Sequence, residues 1–138
     1  MVILTEMIHD ARIVPLDGRP HIDDEVGQWS GDSRGYWDGD TLVMETRNFN
    51  GLTQSFSAFG TSAHKLLTER FTRVDAETLL YEFTVTDPTT WTAPWTAAVP
   101  LLLNPEPMFE YACHEGNYSM GVMLAGTREE EKAAAEQP

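Results

Sequence analysis

The stretch Thr68-Glu69-Arg70-Phe71-Thr72-Arg73-Val74-Asp75-Ala76-Glu77-Thr78-Leu79-Leu80-Tyr81-Glu82-Phe83-Thr84-Val85-Thr86-Asp87 decides the fold. Leu79, Tyr81, Phe83 and Val85 alternate with Leu80, Glu82, Thr84 and Thr86, so an extended chain here has one apolar face and one largely polar face. Asp75-Ala76-Glu77 interrupts the alternation and predicts a hairpin joining residues 64–74 to residues 78–87. The expected pairing sets Phe71 against Phe83, Glu69 against Val85 and Arg73 against Tyr81, which puts two opposite charges on the mostly apolar face. A slip of one residue sends Arg70 and Thr72 there instead, because side chains change face at every position. In either register the hairpin carries at least one buried or half-buried charged group.

The same punctuation continues on both sides. Asp38-Gly39 predicts a two-residue turn between Gly35-Tyr36-Trp37 and Asp40-Thr41-Leu42-Val43-Met44-Glu45-Thr46. Residues 2–7 and 11–16 are β-rich and end at the turn residues Asp17-Gly18-Arg19-Pro20. Further strands are expected at 91–102 and 107–113, where Pro94, Pro100, Pro105 and Pro107 confine them to edges, bends or strand starts. Asn117 can cap a helix over residues 118–134, with Met120, Met123 and Leu124 on one side and a solvated tail at Glu129–Glu136. Seven or eight short strands and one terminal helix predict a single mainly β domain over residues 1–138. The expected form is an antiparallel barrel or strongly curved sheet with the helix across one side or end. A barrel of about eight strands encloses side chains or one small ligand.

The chain has 138 residues, and its 9 Lys+Arg against 22 Asp+Glu give a formal charge of 9 − 22 = −13. That balance argues against a nucleic-acid or anionic-membrane partner, both of which need excess Lys and Arg. With 41% hydrophobic residues the chain can bury a core, and its single cysteine, Cys113, cannot form an intrachain disulfide. No apolar run approaches the ~20 residues that span a bilayer. Met1-Val2-Ile3-Leu4-Thr5-Glu6 lacks the basic start of a secretory signal.

Two resemblances follow from these residues. Gly35–Thr46 and Glu69–Leu79 resemble successive hairpins of the calycin superfamily, the lipocalin and fatty-acid-binding type of barrel. Leu16-Asp17-Gly18-Arg19-Pro20-His21, the Trp37-Asp38-Gly39-Asp40 hairpin, Thr68–Phe71, Asp87–Thr96 and Glu110–Asn117 resemble a family of small bacterial proteins usually called hypothetical. Members of that family often carry an additional N-terminal region, frequently behind an export signal. The resemblance implies that this chain begins inside their pattern, with an N-terminal strand missing or replaced. It implies a calycin-like barrel and carries no established chemistry.

Four groups of residues can bear function. Tyr111, His114, Glu115, Asn117 and Tyr118 gather donors, acceptors and a titrating imidazole at a strand-to-helix junction; alternatively, Asn117 and Glu115 cap the helix and His114 is a surface residue. Glu69 and Glu82 with Arg70 and Arg73 form either an interior charged set suited to acid–base work or an outer cross-strand ion pair. Trp91 and Trp95 share a face of an extended strand, and with Trp37, Tyr36 and Phe71 they line an aromatic pocket or plain core. The histidines His9, His21, His64 and His114 lack His-x-His or His-x-x-x-His spacing, so no metal site is read from them. No phosphate loop, GxSxG elbow or paired CxxC occurs.

The expected activity is therefore that of a cofactor-independent hydrolase or lyase acting on a small molecule such as a glycoside or aromatic compound. In that reading Glu69 or Glu82 is the acid or base, His114 shuttles a proton, and Arg70 or Arg73 steadies negative charge. Trp91, Trp95, Trp37 and Tyr111 hold the substrate. The alternatives are a non-catalytic small-ligand-binding barrel, and an interaction domain that forms a homodimer through its Met and Trp surface.

Overall fold

A computed structural model describes residues 1–52, 63–111, 116 and 118–135. Its strands are β1 (Val2–Thr5), β2 (Asp10–Ile13), β3 (Asp32–Asp38), β4 (Thr41–Arg47), β5 (Leu66–Arg73), β6 (Thr78–Thr86) and β7 (Trp95–Leu102), and its helix α1 is Ser119–Ala135. The chain divides into two compact units, Met1–Leu4 with Ala11–Pro107 and Thr5–Asp10 with Met108–Pro138.

The first unit is organised by an antiparallel meander, β3-β4-β5-β6-β7, in which every strand pairs with its neighbour in sequence. β1 and β2 form a separate two-stranded sheet. Among the described residues no ladder joins β3 to β7, and the expected closed barrel is not found there. The mainly β, antiparallel character and the helix near the C-terminus stand as expected.

Local physics moved two of the expected boundaries and one register. Asp38 pairs with Thr41, which makes Gly39-Asp40 the two-residue turn, one position later than expected. Gly39 has φ +60° and Asp40 does not have positive φ, so glycine supplies the left-handed first position of a II′-type turn. The next hairpin loop is Asp75-Ala76-Glu77: Val74 N–H donates to Thr78 O at 3.1 Å across its mouth, and the Asp75 carboxylate accepts the Glu77 N–H at 2.8 Å and curls the chain before Thr78. The observed pairs are accordingly Phe71 with Tyr81, Glu69 with Phe83 and Arg73 with Leu79. The register differs from the expected one by two positions. An even shift preserves faces, so Glu69 and Arg73 do lie on the apolar side.

The strand expected from residue 91 begins at Trp95. Asp87, 1% exposed, holds the preceding turn by accepting Thr89 N–H at 3.1 Å and the hydroxyls of Thr89 and Thr90 at 2.7 and 2.8 Å. Residues 107–111 are not a strand, consistent with donors lost at Pro105 and Pro107, and the rest of that expected segment lies outside the described residues. Pro100 sits inside β7, which is an edge strand where a missing donor is tolerated.

The core sits under the Val14–Leu16 segment. Val14, Leu42 and Met44 form its buried cluster, with Ile3 and Phe71 packed against them. Burying each such side chain contributes roughly 1.5–3 kcal/mol. Gly35 lets the segment approach β3: its N–H donates to Pro15 O at 2.9 Å, and a Cβ there would fall 2.7 Å from Leu16 Cδ2. In the second unit, α1 runs one residue beyond the expected range at its C-terminal end and starts one later, and none of its residues is buried. Asn117 lies outside the described residues, and so does its expected cap.

Candidate functional site

Register places four rows of side chains on one face of the meander. Gly35, Met44, Glu69, Phe83 and Ala97 form one row, and Trp37, Leu42, Phe71, Tyr81 and Val99 the next. Arg73, Leu79 and Leu101 end the face on one side, while Thr46, Leu67, Val85 and Trp95 continue it on the other. This is an apolar, ring-rich surface carrying two charges.

Glu69 is 3% exposed in the middle of it. Arg12 of β2 meets the carboxylate with two bonds, Nη1 to Oε2 at 2.6 Å and Nη2 to Oε1 at 3.0 Å. Tyr81 donates its phenol hydrogen to Oε1 at 2.9 Å. Bidentate, charge-assisted pairing is the geometry that best offsets burial of a carboxylate. Tyr81 is locked in turn: its burial, together with the Glu69 charge, raises the phenol well above its ordinary value of 10.0. With both oxygens engaged, Glu69 anchors the N-terminal segment to the sheet.

Around this anchor the rings touch in sequence. Phe71 stacks on Tyr81 with centroids 4.8 Å apart, Tyr81 on Phe83 at 5.5 Å, Phe83 meets Trp95 edge-on at 5.6 Å, and Trp95 meets Trp91 edge-on at 6.1 Å. Such pairs contribute ~0.5–1.5 kcal/mol beyond the area they bury. The Trp95 indole N–H is buried and has no hydrogen-bond partner among the described residues.

Beyond Phe71 the face opens into a hollow of about 490 Å³. Its wall includes Ile3, Trp37, Leu42, Phe71, Leu79 and Leu101, and Asp40 and Arg73 supply its polar groups. Trp37 is 61% exposed and Leu101 41%, so apolar surface remains uncovered there. Arg73 is tethered by Nη1 to Ala76 O at 3.2 Å.

The residues singled out in sequence are divided by this geometry. Glu69 and Arg73 share the ring-rich face with Trp37 and Trp95 in the first unit, whereas Trp91 lies before β7, not on the strand face expected for it, and meets Trp95 edge-on. Arg70 and Glu82 pair across β5 and β6 on the opposite face, where Arg70 also holds Asp38 at 2.8 Å in the open. Tyr111 belongs to the second unit, and His114, Glu115 and Asn117 lie outside the described residues.

Sequence reading missed Arg12 as the partner of Glu69, although an arginine inside the apolar run Ala11-Arg12-Ile13-Val14 signals a buried acid. It also missed a second cluster. His21 Nδ1 lies 2.8 Å from Asp32 Oδ2, the same oxygen accepts Ile22 N–H at 3.2 Å, and Arg34 donates to Oδ1 at 2.7 Å. Burial alone would raise the Asp32 carboxyl, but these bonds from Arg34, Ile22 and His21 outweigh it and hold the group below the ordinary 3.8. Ten intervening residues separate Asp32 from His21, so nothing local announces the pair.

No protein-family model, curated protein or solved structure matches this chain.

Proposed function

We propose that the protein is a small-ligand-binding module of calycin-like character that takes a ring-bearing, largely apolar molecule in the hollow walled by Trp37, Phe71, Leu79 and Leu101. The hollow itself carries this reading: about 490 Å³ of space, apolar walls and a few polar groups at the side is the usual make-up of a small-molecule site. Arg73 and Asp40 orient whatever polar substituent the ligand bears. The acid–base reading draws less support, because Glu69 would have to give up Arg12 or Tyr81 before exchanging a proton with a substrate. The other acid of that reading, Glu82, sits on the opposite face.

The test is binding of the fluorescent probe 1-anilinonaphthalene-8-sulfonate and of 2-naphthol, followed by tryptophan quenching. Trp37→Ala and Leu101→Glu should each weaken binding at least tenfold, with thermal stability little changed because both positions are exposed. Equal affinity in the wild type and both variants, or no binding to the wild type, would sink the proposal. Turnover of a glycoside or aryl ester that disappears in Glu69→Gln, while the variant stays folded, would restore the enzymatic reading.

A further inference from the structure

At the opposite end of the same face lies a second hollow, of about 320 Å³, whose described lining is Asp24, Arg47, Asn48, Phe49, Ala63, His64 and Lys65. The sheet explains how polar side chains come to be buried there. Thr46 pairs with Leu67 and Leu67 with Val85, so the next same-face step sets Asn48, Lys65 and Asp87 in one row just past the ladder. All three are buried, at 8%, 4% and 1% exposure.

Two of their polar atoms are unanswered. Lys65 Nζ and Asn48 Oδ1 are both buried, and neither has a hydrogen-bond partner among the described residues. Lys65 Nζ lies 4.0 Å from the centre of the Phe49 ring, a cation–π contact that replaces only part of the hydration an ammonium loses. Burial accordingly lowers the amine from its ordinary value, against the opposing pull of Asp87. Asn48 is held in place: its backbone is left-handed at φ +60°, and its side-chain nitrogen donates to Asp23 O at 2.7 Å and more loosely to Val26 O at 3.4 Å. The amide is thus turned so that its oxygen is the free end. Arg47 is engaged with Asp24 at 3.5 Å, which leaves little net charge among those two. Asp87 carries the opposite charge to Lys65.

A buried donor and a buried acceptor, both wanting partners and both on residues that wall one hollow, describe a ligand with the complementary pair. We infer that this hollow is a binding site for a small neutral carboxamide, whose carbonyl oxygen accepts from Lys65 and whose N–H donates to Asn48 Oδ1. Neither protein atom is open to bulk water, so each lacks the partner that such a ligand would supply. The charges of Arg47 and Asp24, and of Lys65 and Asp87, offset one another, which favours a neutral ligand, and an apolar molecule would leave both orphans unpaired.

Lys65 and Lys132 are the two lysines of the chain, and Lys132 is an exposed residue of α1 that serves as an internal control. In protein made with ¹³C-lysine, isobutyramide should move the Lys65 Cε resonance in a saturable way and leave Lys132 in place. Methyl isobutyrate keeps the carbonyl and loses the N–H, and it should bind at least fivefold more weakly. Lys65→Met should abolish the amide response, read by intrinsic fluorescence; should that variant not fold, the comparison of amide with ester on the wild type decides alone. A stationary Lys65 resonance, equal responses to amide and ester, or equal movement of Lys132 would each overturn the assignment.

Discussion

Glu69 and Arg70 are neighbours in the chain and opposites in circumstance. Glu69 points to the covered face, 3% exposed, and is gripped by Arg12 and Tyr81. Arg70 points to the other face and makes one bond to an exposed Asp38. Each is half of an ion pair of similar length, yet the physics differs. In the open, water competes for both partners and the pair contributes little. Under the N-terminal segment, removing one partner strands the other without solvent. The lesson is that the covered pair fixes where the β1–β2 region lies on the sheet, whereas the open pair decorates it.

That contrast can be broken by substitution. Arg12→Met should cost about 3–5 kcal/mol in denaturant unfolding, because it leaves the Glu69 carboxylate buried and unpaired. Arg12→Met with Glu69→Leu should recover much of the loss; a double variant as unstable as the sum of the two single ones would show that the pair does not act as a unit. Next in size is Gly35→Ala, expected to cost about 1–3 kcal/mol by pressing a methyl against Leu16 and Val14. An unchanged denaturation midpoint would mean that the segment does not rest on β3 in solution. Tyr81→Phe should cost about 1–2 kcal/mol for the lost bond to a charged acceptor. Arg70→Ala should change stability by less than about 1 kcal/mol, and a larger loss would erase the distinction between the two faces.

Titration sharpens the same comparison. Tyr81 has its phenol raised in the folded state, so the stability it contributes is complete below its ordinary value of 10.0 and declines as pH climbs beyond it. Unfolding free energy measured from pH 9 upward should fall, and Tyr81→Phe should flatten the slope. Asp32 gives the mirror image. Its carboxyl is lowered in the folded state, so its contribution is present above the ordinary 3.8 and is lost as pH falls through the lowered folded value. Acid unfolding followed in the wild type and in Asp32→Asn should show a shallower dependence in the variant.

Much of the sheet was legible because alternation and turn chemistry are local properties. The hairpins around Gly39 and around Asp75 exist where the turn residues stand, and the apolar face of β6 is the one its alternation names. The exact registers were not legible, since a two-residue shift leaves every side chain on its own face and hence costs little in the pattern. Of the site, Glu69 and the tryptophans could be nominated from strand patterning. Arg12 could not be matched to Glu69, because 57 residues separate them and nothing local links the two. The Asn48–Lys65–Asp87 row was equally invisible: each residue reads alone as loop chemistry beside a strand.

What this sequence determined unaided is therefore the set of strands, the turns between them and which side of each strand is apolar, because those follow from φ preferences and a period of two. Tertiary structure alone decided which charges are buried together, whether the sheet closes on itself and where space is left unfilled. Those outcomes depend on how segments far apart in sequence pack, and the free energy of a buried pair or an empty hollow belongs to no single segment.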